Sequence, residues 1–267
     1  MSADTDTRAL KNEFVALHGY WDDRLEALLT LSPAHFEVHS DFVSVPVRRG
    51  VLDDKSRQLV HLSVAANAAH LYAPGTKRHV RAALAAGAST EEILEVLQLA
   101  GTLGIHAMNV GAPIFNEILQ ERGDADPAAP LSQRQELLKK QFETNRGFWT
   151  DDFEQILRLD PDLFEAYRSY SSLPWLSGVL EPKLKEFIYI SFDVAATHLH
   201  RIGIEVHLRN ALRHGATTAE IVEVMEIASL LGTHAVLDGA LVLAEALAER
   251  EQDPGSAAAH RPTETEI

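Results

Sequence analysis

Six of the thirteen histidines in the sequence fall into three pairs, and the members of each pair lie 128 positions apart. A neutral imidazole accepts a proton or binds a divalent metal ion near neutral pH. Three imidazoles around one ion leave coordination positions open for water or substrate. A lone histidine is more often a hydrogen-bonded packing residue, so the repeated spacing carries the prediction of a site. The pairs are His70 with His198, His79 with His207, and His106 with His234.

The same offset aligns two long segments of the chain without a gap. HVRAALAAGASTEEILEVLQLAGTLGIHA (79–107) lies over HLRNALRHGATTAEIVEVMEIASLLGTHA (207–235). A self-match of this length indicates two copies of one structural unit. A segment rich in Asp, Pro and Ala separates the copies, and the last residues are polar and aperiodic. The predicted organisation is a first unit over 1–122, a linker over 123–134, a second unit over 135–250 and a disordered tail over 251–267.

The elements that must carry these histidines have helical periodicity. Ile93, Val96 and Ala100 follow the spacing of one buried helix face, and the second copy repeats the pattern. Ser89-x-x-Glu92 and Thr217-x-x-Glu220 are capping boxes. Gly87 and Gly215 precede them, where a left-handed residue would close the helix before. No alternating strand pattern appears, so we predict an all-α protein, a tandem duplication that forms two pseudo-equivalent helical bundles.

The histidines are expected to meet at helix ends within each copy. A long helix over 54–72 would end near His70, and a short helix over 79–86, capped by Thr76, would carry His79 in its first turn. The positive end of the helix dipole would hold that imidazole neutral. His106 would end the next helix. We therefore expect each set of three to converge on one point.

The phrase H-x-x-x-A-L-x-x-G-A-[ST]-T-x-E-I, present twice, resembles the carboxymuconolactone decarboxylase and AhpD-like family. The resemblance covers most of both copies and implies the AhpD-like helical fold. Redox members of that family carry C-x-x-C-x-x-x-H, and decarboxylase-type members keep the histidine without the cysteines. The cysteine positions fall here on Tyr72 and Gly75, and on His200 and Gly203. Because the chain has no cysteine at all, a thiol peroxidase is excluded.

The resemblance also implies a substrate class and an assembly. Decarboxylase-type members act on a small carboxylated lactone, and members commonly form trimers or hexamers of single units. A chain with two units is therefore expected to form a homo-trimer. Where such enzymes usually show Gly-x-Pro, this chain has Gly104-Ile105-His106 and Gly232-Thr233-His234. That departure weakens the case for a lactone.

The second copy has the larger set of acid/base side chains. It carries His200 and Glu205 where the first copy has Tyr72 and Lys77, although Glu205 fits equally well as a helix-capping carboxylate. The predicted catalytic residues are His79, His207, Glu205 and His200. The predicted ligands of a divalent metal are His70, His79, His106, His198, His207 and His234.

The composition and the motifs limit the kinds of molecule that the protein is expected to bind. A formal net charge of −15 disfavours nucleic acid and anionic membranes. The amino terminus lacks the features of a signal peptide, and no apolar run is expected to reach membrane-spanning length. No Gly-x-Ser-x-Gly elbow or glycine-rich phosphate loop is present. We expect a cytoplasmic protein that binds a small molecule.

The leading hypothesis is lyase, decarboxylase or isomerase chemistry on a small carboxylated or lactone-type molecule. A histidine would move a proton next to a carbonyl group, either without a metal or beside an ion that polarises the carbonyl. Two alternatives stay open, namely a metal-dependent hydrolase on the same fold and a non-catalytic binding or assembly protein.

Overall fold

A computed structural model describes residues 3–126 and 128–252, and within them the protein is all-α, as predicted. Short 3₁₀ turns at Thr102–Ile105 and Leu230–Gly232 each join two of the helices. The helices are α1 Ala3–His18, α2 Asp23–Leu31, α3 Pro33–Val43, α4 Val45–Arg49, α5 Asp54–Ala66, α6 Ala73–Ala85, α7 Thr90–Gly101, α8 His106–Glu121, α9 Gln133–Arg146, α10 Asp151–Leu159, α11 Pro161–Ser177, α12 Pro182–Asp193, α13 Arg201–Arg213, α14 Thr218–Ser229 and α15 Thr233–Gln252.

The predicted helix signals between α6 and α7, and between α13 and α14, are confirmed. Ser89 and Glu92 exchange the two hydrogen bonds of a capping box, and Thr217 and Glu220 do the same. The glycines before them adopt left-handed backbone angles, φ 87° at Gly87 and 81° at Gly215. Each glycine therefore ends one helix and positions the cap of the next.

The predicted bounds around the first two histidines are wrong. α5 ends at Ala66, and α6 begins at Ala73 because Pro74 lies in the first turn, where a missing amide hydrogen costs nothing. Thr76 is therefore inside α6 and not its cap, and its hydroxyl donates to the Tyr72 carbonyl. His79 consequently lies in the middle of α6, so the helix dipole does not explain its protonation state.

The other histidine positions also differ from the expectation. His70 and His198 lie in the turns before α6 and α13, each followed by a leucine with positive φ, 48° at Leu71 and 50° at Leu199. His106 begins α8, because the 3₁₀ turn before it continues the helical path instead of ending it.

The chain divides into two compact units that do not follow the order of the repeats. The larger is Val51–Ser229, and the other consists of the described parts of Met1–Gly50 and Leu230–Ile267. In the larger unit α8, the last helix of the first copy, packs on α10 of the second copy. In the other unit α15, the last helix of the second copy, packs on α2 of the first. The last helices are thus exchanged between copies.

The predicted linker follows α8, and the predicted tail begins at the end of α15. α8 ends at Glu121 and α9 begins at Gln133, so the predicted linker over 123–134 spans this connection except for residue 122 and includes the first two residues of α9. Of the predicted tail, Glu251 and Gln252 belong to α15. The remainder of the tail lies outside the described residues.

The core of the larger unit is built around α5, α7, α12 and α14. Leu59, Leu62, Val96 and Ile188 are fully buried in it. Two ion pairs cross the same core at equivalent positions of the repeat. Arg57 meets Glu223 and Lys185 meets Glu95, each at 2.9 Å, and all four side chains are at most 5 % exposed. The core therefore joins helices of both copies into one framework.

Two helical stretches, residues 90–121 and 218–252, are long and apolar enough to cross a membrane by length and composition. The expectation that no run reaches that length is wrong, because each stretch joins two helices through a 3₁₀ turn. Half of the most apolar window of the first stretch is buried within the protein, and 28 % of that of the second. Core helices of proteins outside membranes pass the same test, so these stretches carry little weight. A cytoplasmic location stays a prediction.

Candidate functional site

The first part of the site is a buried histidine–carboxylate pair in the larger unit. His207, in the middle of α13, places its Nδ1 2.6 Å from Oε2 of Glu186 on α12. The other oxygen of Glu186 accepts a hydrogen bond from Asn210 Nδ2 at 3.1 Å. The imidazole is stacked on the ring of Tyr189, with centroids 4.2 Å apart. Because a carboxylate accepts the proton on Nδ1, Nε2 is the nitrogen left to accept a proton from a substrate.

The second part is a cluster of His106, His198, His200 and Asp193. Nδ1 of His106 lies 2.5 Å from Nε2 of His198, and the rings of His106 and His200 are stacked at 3.8 Å. The Asp193 carboxylate lies 3.8 Å from His106 and 3.9 Å from His198. One ligand-type atom from each of the four residues lies within 4.8 Å of the others.

Burial disfavours the charged form of each side chain in this cluster. It lowers the pKa of His106 to about 2, with further contributions from His200 and His198. Burial also lowers the pKa of His198 and His200. The Asp193 side chain is fully buried, and burial together with Glu186 raises its pKa well above the usual range. Neither oxygen of Asp193 has a hydrogen-bond partner.

Gly203, at one of the two cysteine positions of the redox motif, makes room for this arrangement. A Cβ atom there would overlap the Asp193 carboxylate and lie 2.6 Å from Nδ1 of His200. The amide of Gly203 donates to that same Nδ1 at 3.2 Å. A residue with a side chain at this position would therefore displace both His200 and Asp193.

A narrow pocket connects the two parts. His106, His200 and His207 line it together with Arg146 and Asp152. The Arg146 guanidinium, only 8 % exposed as a residue, lies among the rings of four aromatic residues, donates to the Ser171 carbonyl, and has an unpartnered Nε. Those rings belong to Phe142, Phe148, Trp175 and Tyr189, with centroids 5.3 to 5.9 Å from the guanidinium carbon.

The structure groups the predicted histidines across the copies, and not within each copy as we expected. His106 of the first copy meets His198 and His200 of the second, because α8 packs on the second copy. His207, predicted both as catalyst and as ligand, lines the same pocket but belongs to the pair with Glu186 and not to the four-residue cluster. The expectation of convergence within one copy is thus corrected by the exchange of the last helices.

The first-copy counterpart of His207 is in a different environment. Nδ1 of His79 donates a hydrogen bond to Oε1 of Gln58 at 2.8 Å. Gln58 is an amide where the second copy has a carboxylate. Nε2 of His79 lies 3.0 Å from the Arg78 guanidinium, which can only donate. Arg78 therefore occupies Nε2 of His79. The second copy has Val206 where the first has Arg78, so the equivalent Nε2 of His207 is left open.

The remaining predicted site residues lie apart from this pocket or outside the larger unit. Glu205 is exposed on α13 and pairs with Arg209 at 2.7 Å. His70 stacks on Tyr72 with centroids 5.5 Å apart. His234 lies on α15 in the other compact unit.

Sequence reasoning missed Glu186, Asp193 and Arg146. The first two lie within KEFIYISFD, which resembles any buried apolar helix face. A signal was available in the alignment of the copies, since Gln58 and Ala65 stand at the equivalent first-copy positions and His18 stands opposite Arg146. A carboxylate present in one copy only, within an otherwise buried helix, is the mark of a polar site.

The model of the carboxymuconolactone decarboxylase family matches the chain twice, over residues 34–113 and 161–246. The chain belongs to the carboxymuconolactone decarboxylase family. The double match also confirms the tandem duplication. A crystal structure of a Burkholderia xenovorans protein, provisionally named a γ-carboxymuconolactone decarboxylase subunit, is similar to this family member, with 48 % identity and a TM-score of 0.88. The similarity covers 91 % of this chain and 98 % of that one. No curated protein matches the chain.

Proposed function

We propose that the protein is a lyase of the carboxymuconolactone decarboxylase type, which removes CO₂ from a small carboxylated lactone. The family and the name of the similar Burkholderia protein support a decarboxylase-type reaction. Within that class the second-copy pocket is the favoured site. His207 is its acid/base group, and Glu186 holds the imidazole in one tautomer and orientation.

One observation supports a substrate with a carboxylate group. Arg146 is a buried guanidinium, and no carboxylate of the described residues forms an ion pair with it. A buried cation is costly unless a counter-charge or a good hydrogen-bond acceptor satisfies it. A bound carboxylate supplies both, since the guanidinium matches carboxylate geometry with two parallel hydrogen bonds. The pocket that exposes Arg146 to a ligand also contains His207.

The reaction at this site needs few groups. The bond between the ring carbon and the carboxyl carbon breaks, CO₂ leaves, and the electron pair passes into the conjugated lactone carbonyl. Hydrogen-bond donors at that carbonyl oxygen stabilise the enolate. Protonated His207 then delivers a proton to carbon, and it regains one from water. No redox step occurs, which agrees with a chain that has no cysteine.

A metal-dependent hydrolase is the second candidate, and the four-residue cluster of His106, His198, His200 and Asp193 is the observation that favours it. An ion there would activate water toward an ester or lactone carbonyl. The products separate the two candidates, because hydrolysis of a carboxylated lactone opens the ring and retains the carboxyl carbon. A non-catalytic binding protein would give neither product.

Arg146→Met tests the proposal directly. The full-length chain is incubated with γ-carboxymuconolactone and related carboxylated lactones, and CO₂ release is followed. Loss of a charge-assisted hydrogen bond of roughly 1.5 to 3 kcal/mol should lower kcat/KM by about 10- to 150-fold, mainly through KM. Arg146→Lys should restore part of it.

Arg209→Met, on the exposed face of α13, is the control and should retain the wild-type kcat/KM. Thermal melts of all variants show whether they are folded at the assay temperature. The proposal is wrong if the wild-type protein releases no CO₂ from any of these lactones, or if folded Arg146→Met has the wild-type kcat/KM.

A further inference from the structure

The Asp193 carboxylate is buried in the larger unit without a hydrogen bond to either oxygen. Its side chain is fully buried, and the nearest ring nitrogens lie 3.8 and 3.9 Å away. Isolated buried carboxylates are strongly unfavourable, and in proteins such groups are paired or coordinate metals. Three imidazoles, that of His106 from the first copy and those of His198 and His200 from the second, lie around this carboxylate.

We propose that His106, His198, His200 and Asp193 bind one divalent transition-metal ion. Three imidazoles and one carboxylate suit Zn²⁺, Fe²⁺, Co²⁺ or Ni²⁺, whereas Mg²⁺ and Ca²⁺ require mainly oxygen ligands. The ion would neutralise Asp193 and supply the partner that its two oxygens lack.

The cluster needs a small adjustment to hold the ion. His106 and His198 share a hydrogen bond at 2.5 Å, whereas two nitrogens bound to one tetrahedral ion at about 2.0 to 2.1 Å lie roughly 3.3 Å apart. The ion takes the place of the shared proton, which moves to the other ring nitrogen of the histidine that donated it, and the two rings move apart by under 1 Å. The four ligand atoms lie within 4.8 Å of one another, so the other two also move toward the ion, because atoms bound at about 2.1 Å are at most about 4.2 Å apart.

His200 is the weakest of the four ligands. Its Nδ1 accepts the Gly203 amide at 3.2 Å. Ligation through Nδ1 removes that acceptor, and ligation through Nε2 moves the ring proton to Nδ1, so either mode breaks the bond. His106 and His198 give up only the hydrogen bond that they share. His200→Ala is therefore expected to weaken metal binding less than His198→Ala does.

The repeat predicts the stoichiometry. The positions equivalent to Asp193 and His200 are Ala65 and Tyr72 in the first copy, so the first copy offers neither the carboxylate nor the third imidazole. One ion per chain is expected, and not two. The inference is independent of the proposed function, because it concerns binding and not turnover.

The experiment uses the full-length chain, treated with a chelator and then exposed to Co²⁺ or Zn²⁺ alone. Bound metal is counted by elemental analysis after desalting, and Co²⁺ ligation is followed by visible absorption. We expect one ion per chain, with no competition from excess Mg²⁺. His198→Ala and the isosteric Asp193→Asn should abolish stoichiometric binding. His70→Ala, the first-copy equivalent of His198→Ala, and His207→Gln should leave it unchanged.

Three results would overturn the proposal. They are no binding by the wild-type chain, equal binding by folded Asp193→Asn, and two ions per chain of which His70→Ala removes one. Melting curves establish that each variant is folded before its metal content is compared. A chain that binds one ion but releases no CO₂ would leave the metal site standing and overturn only the proposed function.

Discussion

The acid/base capacity of His207 depends on one side chain, Glu186. The carboxylate fixes the proton on Nδ1 and stabilises the imidazolium that forms when Nε2 takes a proton. The first copy has the same arrangement with Gln58, whose amide oxygen orients the ring but carries no charge. The two copies thus have a carboxylate and an amide at equivalent positions.

Glu186→Gln converts the second-copy pair into the first-copy form. We expect kcat for CO₂ release to fall by about 10²- to 10⁴-fold, the range that general acid/base catalysis contributes, with little change in KM. Gln58→Glu, the reciprocal change, should leave the rate at the wild-type level because Arg78 still occupies Nε2 of His79. A Glu186→Gln protein with the wild-type kcat would show that the carboxylate is only structural.

At the level of helices, the two buried ion pairs between α5 and α14 and between α12 and α7 hold the larger unit together. Glu95 accepts hydrogen bonds from the amides of Val179 and Leu180 at 2.5 and 2.9 Å, besides the ion pair with Lys185. Glu223 accepts from Val51 and Leu52 in the equivalent place. Each glutamate therefore fixes the chain that enters α12 or α5.

Glu95→Ala should lower the free energy of unfolding by about 3 to 5 kcal/mol, because it leaves the Lys185 ammonium buried without its carboxylate partner. Urea denaturation measures the change. Glu205→Ala, which removes an exposed pair with Arg209, should change stability by under about 1 kcal/mol. Equal effects of the two substitutions would contradict the role given to the buried pair.

Helix signals that depend on a few neighbouring residues could be predicted from the sequence, and those that depend on distant packing could not. The capping boxes and left-handed glycines satisfy their own backbone, so Ser89, Gly87 and their counterparts were visible in the sequence. Ala73-Pro74-Gly75 looks like a turn, yet these residues form the first turn of α6, directly after the buried Tyr72.

The sequence does not show that α8 and α15 each pack on helices of the other copy. Both copies have the same helix faces, and a repeat alignment does not tell which copy a terminal helix packs on. The family and the tandem architecture followed from the repeated phrase, whereas the assignment of His106 to the second-copy site required the packing of α8 on α10.

The larger unit presents an apolar stripe on α8 that suits self-association. Val110, Ile114 and Ile118 lie four residues apart on α8, and each is about half exposed. Contiguous exposed apolar side chains of this kind mark interaction surfaces, and we expect a second copy of the same chain to be the partner. The name of the similar Burkholderia protein, which describes it as a subunit, agrees with assembly.

Light scattering after size-exclusion chromatography should give a mass of about three times the 29.4 kDa chain. Ile114→Lys should dissociate the trimer by placing charge in the stripe. Leu137→Lys alters an equally exposed leucine on α9 and should leave the mass unchanged. A monomeric wild-type chain, or dissociation by both variants, would contradict a trimer built on α8.

The proposed function requires that His207 of the second copy, and not His79 of the first, performs the acid/base step. The most direct test compares CO₂ release from γ-carboxymuconolactone by His207→Gln and His79→Gln, two variants at equivalent positions with equally buried side chains. We expect His207→Gln to lose about 10²- to 10⁴-fold in kcat and His79→Gln to keep the wild-type rate. Full activity in folded His207→Gln, or an equal loss in both variants, would contradict it.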